Sequence, residues 1–600
     1  MAYKHFILTC GGTACESNKG DEIYRNLIAE TEKLGLREDV QIVKTGCFGF
    51  CEQGPIVKVL PEESFYVNVK PADVHEIIAE HIVKGREVTR LLYHEEGEKK
   101  HAAIEDISFY QKQVRVVLRN CGVINPESID EYIAREGYVG LEKVLFEWTP
   151  EKVIEEMKIS GLRGRGGAGF PTWLKWDLTR KAEGSPKYVI CNADEGDPGA
   201  YMDRSTIEGD PHSVIEGMIT AARAVGANFG IIYIRAEYPL AVERLKIAMA
   251  QARDYGLLGD NILGSGFNFD IEIRLGAGAF VCGEETALIQ SIEGSRGMPT
   301  PKPPFPANKG LWQRPTLINN VETFANVPVI IAKGGAWLAR IGTEKSKGTK
   351  VFALTGKVKN SGLVEVPMGT TLREIIFDVG GGIKGGKKFK GVQTGGPSGG
   401  ILTEAVLDTP IDYESLAANG SMMGSGGMIV MDEDDCVVDV ARFYMEFCVD
   451  ESCGKCSPCR IGTTQLLNIL EKIANGNGEE EDLEKLETIS KAMSKASLCA
   501  LGQTAPNPTI STIKNFKEEY LEHIHDRKCR AGKCKKLVRF MIDSEKCIGC
   551  GACSRKCPAN CIAQIPGTNK KRPPYKIDLE ACLKCGECFN TCKFGAVSKV

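Results

Sequence analysis

The spacing of the cysteines limits this chain more than anything else: there are 24, most of them in short clusters. Cys547-x2-Cys550-x2-Cys553-x3-Cys557-Pro558 recurs as Cys582-x2-Cys585-x2-Cys588-x3-Cys592. Such short spacers let three thiolates close on one corner of an iron–sulfur cube, and the fourth cysteine of each run crosses to the other cube. One [4Fe–4S] centre is therefore assigned to Cys547, Cys550, Cys553 and Cys592, the second to Cys582, Cys585, Cys588 and Cys557. Paired zinc knuckles do not account for two complete runs of four. Lys593 stands where a second proline would complete the repeat, which touches the turn and not the ligation. Disulfides are the competing use of so many thiols. In a chain of 600 residues with no export-type opening segment and tightly clustered cysteines, reduced metal-binding thiolates are the better reading.

Cys453-x2-Cys456-x2-Cys459 is a further three-thiolate run. It needs a fourth ligand, and Cys499 follows the helix expected to begin near Glu480, so that an antiparallel helix pair would bring it back. Cys10-x4-Cys15 and Cys47-x3-Cys51 each sit where a strand runs into a loop; four thiolates from two loops suit [2Fe–2S] or zinc equally well. His525-x3-Cys529-x4-Cys534 groups soft ligands in a basic segment as three ligands of a structural zinc, with Cys448 as the fourth. Cys121, Cys191, Cys282, Cys436 and Cys561 read as small buried hydrophobes.

A chain this long divides into several domains. Residues 1–90 alternate short strands (Phe6 to Leu8, Val40 to Val43, Ile56 to Leu60) with helical patterns at Asp21 to Leu34 and Ala72 to Val83. Residues 91–112, with the charged stretch Tyr93 to Lys100, read as a linker. From 113 to 349 strand and helix alternate, the mark of a mainly parallel α/β sheet. Residues 350–432 are Gly-rich and suggest a small β-grasp-like insert, 433–536 read as helices, and 537–600 carry the duplicated cysteine runs. The fold class is thus multidomain α/β and α+β. Net charge is −4, from 75 basic and 79 acidic residues, which gives no field argument for nucleic acid. No apolar run approaches the ~18–20 residues needed to span a bilayer. A cytoplasmic protein with no membrane span is the expectation.

Gly161-Leu162-Arg163-Gly164-Arg165-Gly166-Gly167-Ala168-Gly169 precedes an expected helix carrying Lys175. Glycines let backbone N–H groups approach a phosphate, and a helix N-terminus adds favourable potential. Such a loop alone is a weak signal. Here Asn192-Ala193-Asp194-Glu195 follows the strand Tyr188 to Ile190, and Gly283-Glu284-Glu285 comes shortly after the strand Ile271 to Arg274. Ligands of open α/β sheets bind beyond the carboxyl ends of strands, so three such elements favour a nucleotide or flavin pocket over three unrelated turns.

Together with Gly283-Glu284-Glu285-Thr286, Pro303-Pro304-Phe305-Pro306, Asn319-Asn320-Val321-Glu322-Thr323 and Ser452-Cys453-Gly454-Lys455-Cys456, these elements resemble the flavin-bearing NADH dehydrogenase subunit of complex I over roughly residues 150–520. With its added terminal cluster domains, the whole chain is most similar to the NAD-binding beta subunits of multimeric, electron-bifurcating [FeFe]-hydrogenases. The resemblance implies a thioredoxin-like [2Fe–2S] domain, a Rossmann-like FMN domain, a β-grasp-like insert of the soluble ligand-binding type, a helical [4Fe–4S] domain and a two-cluster ferredoxin domain. It implies FMN held by Gly164, Arg165, Gly166, Lys175, Asn192, Asp194, Glu195, Gly283, Asn319, Asn320 and Thr323. It also implies NAD(H) over the flavin, with Phe170 and Phe305 stacking near the adenine and Glu195, Glu284 and Glu285 contacting the dinucleotide. Glu195 and Glu285 are the acidic groups nearest the chemistry, as orienting groups. The resemblance further implies iron over zinc at Cys10, Cys15, Cys47 and Cys51, and Cys499 as fourth ligand beside Cys453, Cys456 and Cys459. Trp173 and Leu178 depart from the family's usual Gly and Phe, and Gly196-Asp197 from a bulkier residue plus Glu.

The implied cofactor set is FMN, NAD(H), one [2Fe–2S], three [4Fe–4S] and a structural zinc. The implied assembly is a hetero-oligomer with a hydrogenase catalytic subunit and a small [2Fe–2S] subunit, exchanging electrons with ferredoxin. The alternatives are the NADH input module of a respiratory complex, the same module of an NAD-linked formate dehydrogenase, or a cluster relay without flavin. If Cys456 ligates a cluster, Cys456→Ser removes one [4Fe–4S] signal from the electron paramagnetic resonance spectrum and slows flavin-to-cluster transfer while FMN content stays at the parent level. An unchanged spectrum removes Cys456 from the ligand set.

Overall fold

The computed structural model describes residues 3–95, 107–566 and 571–599; half of the expected 91–112 linker, residues 96–106, lies outside them. The chain divides into two units, Met1–Met431 with Leu498–Ala500, and Asp432–Ser497 with Leu501–Val600.

The first unit opens with a four-stranded sheet. β1 (His5–Cys10) lies between β2 (Val40–Thr45), which runs parallel to it, and β3 (Val57–Leu60), which runs antiparallel, and β4 (Ser64–Tyr66) completes the edge. The helix Gly20–Lys33 packs Ile23 and Leu27 into the core beside these strands. Both cysteine pairs therefore sit at or just past the carboxyl ends of two neighbouring parallel strands. The end of the expected linker is ordered packing: Ile107 and Phe109 are fully buried, and Phe109 stacks on Phe50 with ring centroids 4.5 Å apart.

The central domain is built on β5 (Tyr188–Ala193), β6 (Phe229–Arg235), β7 (Asp270–Gly276) and β8 (Thr316–Asn320), all parallel, in the order β7-β6-β5-β8. β6 reads Ile-Ile-Tyr-Ile without polar alternation because its middle is covered on both faces. The helix Pro211–Val225 is buried at every position but Arg223. From β5 the chain steps outward to β6 and β7, then returns to the other side of β5 for β8. The strand order thus reverses between β5 and β8, where a doubly wound sheet leaves its crevice.

The insert forms a five-stranded sheet of β9 (Thr349–Gly356), β10 (Gly362–Pro367), β11 (Phe389–Thr394), β12 (Ile401–Leu402) and β13 (Gly427–Asp432), ordered β10-β9-β13-β11-β12. A buried ion pair ties it to the central domain. Lys350 on β9 donates to Glu322 in the first turn of the helix Val321–Lys333, and Glu322 also accepts from the backbone N–H of Val351 at 3.0 Å. Neither side chain is more than 1 % exposed.

The second unit begins with the helices Val437–Glu451, Ser457–Ala474, Glu480–Ala496 and Asn507–Leu521, whose apolar faces (Leu466, Leu470, Leu486, Met493) share one core. Its tail is a duplicated unit. The strand pairs Phe540–Ile542 with Val597–Lys599 and Ile562–Gln564 with Tyr575–Ile577 accompany two matching short helices, Ala552–Lys556 and Glu587–Thr591. Among the described residues no helix is long and apolar enough to cross a membrane.

Removing one member of a buried pair strands the other charge, which costs about 3–5 kcal/mol. Lys350→Met is therefore expected to lower the first thermal unfolding transition sharply. Lys350→Met with Glu322→Gln is expected to recover most of that loss, as read by calorimetry on the full chain.

Candidate cofactor crevice and cluster sites

The glycine-rich loop lies beside the crevice and is held by its own backbone: Gly164 N–H donates to Phe170 O at 2.8 Å and Thr172 N–H to Leu162 O at 3.0 Å. Gly167 sits at φ 138°, a conformation that L side chains rarely adopt. Arg165 N–H donates to the Thr323 hydroxyl at 2.9 Å, which fixes the loop to the turn after β8. The Arg165 guanidinium is fully buried on the carbonyls of Arg163, Lys347 and Thr349, at 2.6–3.0 Å. With its N–H on Thr323 and its guanidinium on three carbonyls, Arg165 holds the shape of the loop and does not lend its charge to a ligand.

The residues singled out at the strand ends interlock. Asn192 donates to Gly283 O at 2.9 Å, joining the loop after β5 to the one after β7, and accepts from Asp194 N–H at 3.1 Å. Asn319 accepts from the Trp176 indole at 2.9 Å, and Asn320 donates to Asp203 at 2.6 Å while its amide oxygen accepts from Glu322 N–H. Lys175 bridges Ile318 O and Glu285, both at 3.0 Å, and Lys302 reaches Glu285 at 2.7 Å and Glu284 at 2.9 Å. Burial alone would raise the Glu285 carboxyl, but Lys175 and Lys302 reverse this and hold it at about 2, so Glu285 stays anionic at neutral pH. Phe170 and Phe305 remain about half exposed, with faces free to stack.

Two of the three acids act on backbone. Glu284 caps the helix Glu285–Ile292 by accepting from Thr286 and Ala287 N–H. Glu195, 5 % exposed, accepts from the N–H groups of Asp203 at 3.0 Å and Arg204 at 3.2 Å, at the start of the helix Met202–Gly209. Both Glu195 oxygens thus hold the start of that helix beside the crevice. Burial raises its carboxyl, against those backbone donors. Asp197 next to it is pushed up to about 6 by burial, with Ser425 of the insert donating to it. Loop amides that no Cβ obstructs, a buried carboxylate at Asp194 and a half-buried cation at Lys175 fit a flavin mononucleotide, whose phosphate wants donors and whose polyol wants acceptors.

In the C-terminal tail one cavity is lined by Cys547, Cys550, Cys553 and Cys592 and another by Cys557, Cys582, Cys585 and Cys588, the crossed grouping expected from the spacing. Cys561, read from sequence as a plain hydrophobe, lines the second cavity with its sulfur 3.4 Å from that of Cys557. In the N-terminal domain the sulfurs of Cys47 and Cys51 lie 3.8 Å apart, and Cys15 and Cys47 beside it hold the Cys10 thiol well below its usual range, as neighbouring thiols of one site would. Cys456 caps the helix Ser457–Ala474, and Cys459 lies one turn in, with Ser452 Oγ 3.3 Å from its sulfur.

Cys436, His523, Cys529 and Cys534 are all buried, with ligand atoms within 4.8 Å of one another. His523 Nε2 lies 3.3 Å from Cys534 Sγ and 3.4 Å from Cys436 Sγ, while Nδ1–H donates to Glu519 O at 2.6 Å and so turns Nε2 inward. Cys529 is held toward the thiolate by hydrogen bonds from Cys436 and Cys534. Two expected ligands are thereby replaced. His525 is half exposed and paired with Glu480 at 2.7 Å, on the wrong face of its helical turn. Cys448 lies 12 residues beyond Cys436, about 18 Å along the helix axis at 1.5 Å per residue, and packs in the helical core. His523 was readable in principle, because it adjoins the apolar positions Tyr520 and Ile524; nothing local marks Cys436.

Residues 141–329 match the Nuo51 FMN-binding domain, and 439–523 match the NADH-ubiquinone oxidoreductase-F iron-sulfur binding region. The terminal segments match a thioredoxin-like [2Fe-2S] ferredoxin (2–81) and a 4Fe-4S dicluster domain (546–596), and the insert matches an SLBB domain (351–402). The chain is 59% identical to the NADP-reducing hydrogenase subunit HndC of Solidesulfovibrio fructosivorans, over 77% of this chain and 93% of that protein. It is 47% identical to an F-type subunit of the NADH-quinone oxidoreductase of Rhizobium meliloti (strain 1021), over 69% of this chain and 98% of that protein. Its fold is similar to a chain in the crystal structure of an NAD+-reducing [NiFe]-hydrogenase in the H2-reduced state, with TM-score 0.61 and 29% identity over 88% of this chain and 85% of that one.

If the four buried groups of the helical domain hold a metal, His523→Ala lowers bound metal at least ~tenfold by elemental analysis of the full chain. His525→Ala leaves it at the parent level. The reverse ranking would restore the ligand set expected from sequence.

Proposed function

The chain belongs to the family of NADH-quinone oxidoreductase flavin subunits, and from that premise we propose that it is the NAD(H)-linked flavin subunit of a soluble, cytoplasmic hydrogenase that bifurcates electrons between NAD(H) and ferredoxin. The observation that carries the reading is the crevice at the strand-order reversal between β5 and β8, rimmed by the glycine loop and flanked in sequence by cluster domains at both ends. FMN bound there exchanges a hydride with a nicotinamide and single electrons with iron–sulfur centres. The protein's part is placement. Gly166 and the glycines after it present backbone to the phosphate, Gly164 and Arg165 hold the shape of the loop through their own hydrogen bonds, and Asn192, Asp194, Gly283, Asn319, Asn320 and Thr323 shape the floor. Phe170 and Phe305 stack on the adenine end of the dinucleotide. Lys175 and Lys302 keep Glu285 charged, so that it orients bound groups and does not trade protons with them.

The cluster complement in this proposal is one [2Fe–2S] on Cys10, Cys15, Cys47 and Cys51, one [4Fe–4S] on Cys453, Cys456, Cys459 and, on the sequence pattern, Cys499, and two in the tail. Zinc suits the Cys436–His523–Cys529–Cys534 group, since three thiolates and one imidazole with no open position make a structural site. The partners proposed are a hydrogenase catalytic subunit, a small [2Fe–2S] subunit and ferredoxin. A respiratory or formate-dehydrogenase module is the second reading; the tail's two-cluster domain favours the first, because it gives low-potential electrons a way out.

The anaerobically purified complex is expected to reduce NAD with hydrogen only while oxidised ferredoxin is also present, with equal electron yields in NADH and reduced ferredoxin. Ferredoxin-independent NAD reduction at full rate rejects bifurcation, and a complex that releases no FMN on denaturation rejects the flavin site.

A further inference from the structure

The β-grasp-like insert reaches back and holds the glycine-rich loop. The Tyr413 hydroxyl, at the start of the short helix Tyr413–Ala418, donates to Gly164 O at 2.8 Å. The Arg163 guanidinium lies over the Tyr413 ring, 4.2 Å from its centroid. Glu414 pairs with the same guanidinium at 2.6 Å and accepts from the Ser346 hydroxyl at 3.3 Å. Arg163 in turn donates through Nε to Gly169 O at 2.6 Å, so its side chain closes the loop from residue 163 across to 169. A Cβ on Gly169 would come within 2.6 Å of the Tyr413 ring, so loop and ring meet with no room between them.

These bonds bear on one peptide. Gly164 C=O and Arg165 N–H belong to the same planar unit and point in opposite directions. Tyr413 holds the oxygen end, and the Thr323 hydroxyl holds the nitrogen end at 2.9 Å. One grip comes from the insert and the other from the turn after β8. With that plane fixed at both edges, the backbone that follows at Gly166 and Gly167 is set in direction before a ligand enters. The insert has its own footing beside the crevice. Ser425 O, in the loop before β13, accepts from Lys350 at 2.6 Å, and the Ser425 hydroxyl donates to Asp197 in the loop after β5.

We propose that Tyr413 is a positioning residue for the flavin phosphate: through Gly164 it fixes the glycine-rich loop in its phosphate-receiving shape, while Glu414 and Arg163 hold the far arm of the loop. The insert thereby acts as a clamp on the flavin site of its own chain. The inference rests on the reading that this loop receives the phosphate of FMN.

The test compares FMN with riboflavin, which lacks the phosphate, as ligands of the deflavinated full chain in equilibrium dialysis. Tyr413→Phe keeps the ring beneath Arg163 and removes one hydrogen bond, so FMN binding is expected to weaken about three- to tenfold while riboflavin binding stays at the parent value. Glu414→Gln is expected to move FMN the same way and by less. A Tyr413→Phe chain with the parent FMN affinity overturns the proposal. Equal losses for both flavins overturn it too, because a general loosening of the crevice does not single out the phosphate. If Tyr413→Phe fails to fold, Glu414→Gln decides: the parent ratio of FMN to riboflavin affinity overturns the proposal. A parent chain that binds riboflavin as tightly as FMN overturns it by showing that the loop does not hold the phosphate. A parent chain that binds neither flavin instead rejects the flavin site beneath the proposal.

Discussion

The reversal of strand order between β5 and β8 is the constraint from which the rest of the first unit follows. Helices cannot cover the strand ends where successive connections depart in opposite directions, so backbone donors at those ends face a gap. The chain fills the rim with residues whose own hydrogen bonds are already satisfied: Asn192 against Gly283, Asn319 against Trp176, Asn320 against Asp203 and the helix start at Val321. A rim pre-bonded in this way loses little freedom when a ligand enters, which is what preorganisation means in energetic terms.

The acids beneath that rim are handled in two ways. Glu285 near the surface is surrounded by lysines and stays ionised. Glu195, Asp203, Glu322 and Lys350 are buried together. Asp203 is raised well above the usual carboxylate range by burial and by the charges of Glu195 and Glu322, and Lys350 answers only part of that. Such a group is costly to the fold, and its members are spent on holding elements: Glu322 on β9, Glu195 on the helix Met202–Gly209, Asp203 on Asn320. Charge here positions backbone, and the chemistry is left to the cofactors.

What could be read from the sequence follows from how local each interaction is. The dicluster tail was legible from its short, regular cysteine spacings, and the crossed grouping expected from them reappears in the lining of the two cavities. The parallel sheet was legible from unbroken apolar runs such as β6. The role of the Arg165 side chain was not legible, because the sequence shows its charge and not the three carbonyls that absorb it. That Glu195 holds the start of a helix was not legible, because a bond to a helix that begins seven residues later leaves no periodic trace. His525 was named from its spacing to Cys529 and Cys534, and the direction of the helical turn that brings His523 inward instead leaves no trace in spacing. Cys436 lies 87 residues from His523, beyond any spacing rule.

The two kinds of thiol site also differ in what they ask of the surrounding protein. In the tail six of the eight cysteines in the repeated runs are partly or fully exposed, and the apolar core around them is small. The group at Cys436 is buried on all four members and draws on three separated segments, the start of one helix, the end of another and the loop beyond it. A metal there closes a long chain loop, which stabilises the helical domain most by restricting its unfolded state. That difference explains why spacing announced the tail sites so plainly and the Cys436 group hardly at all.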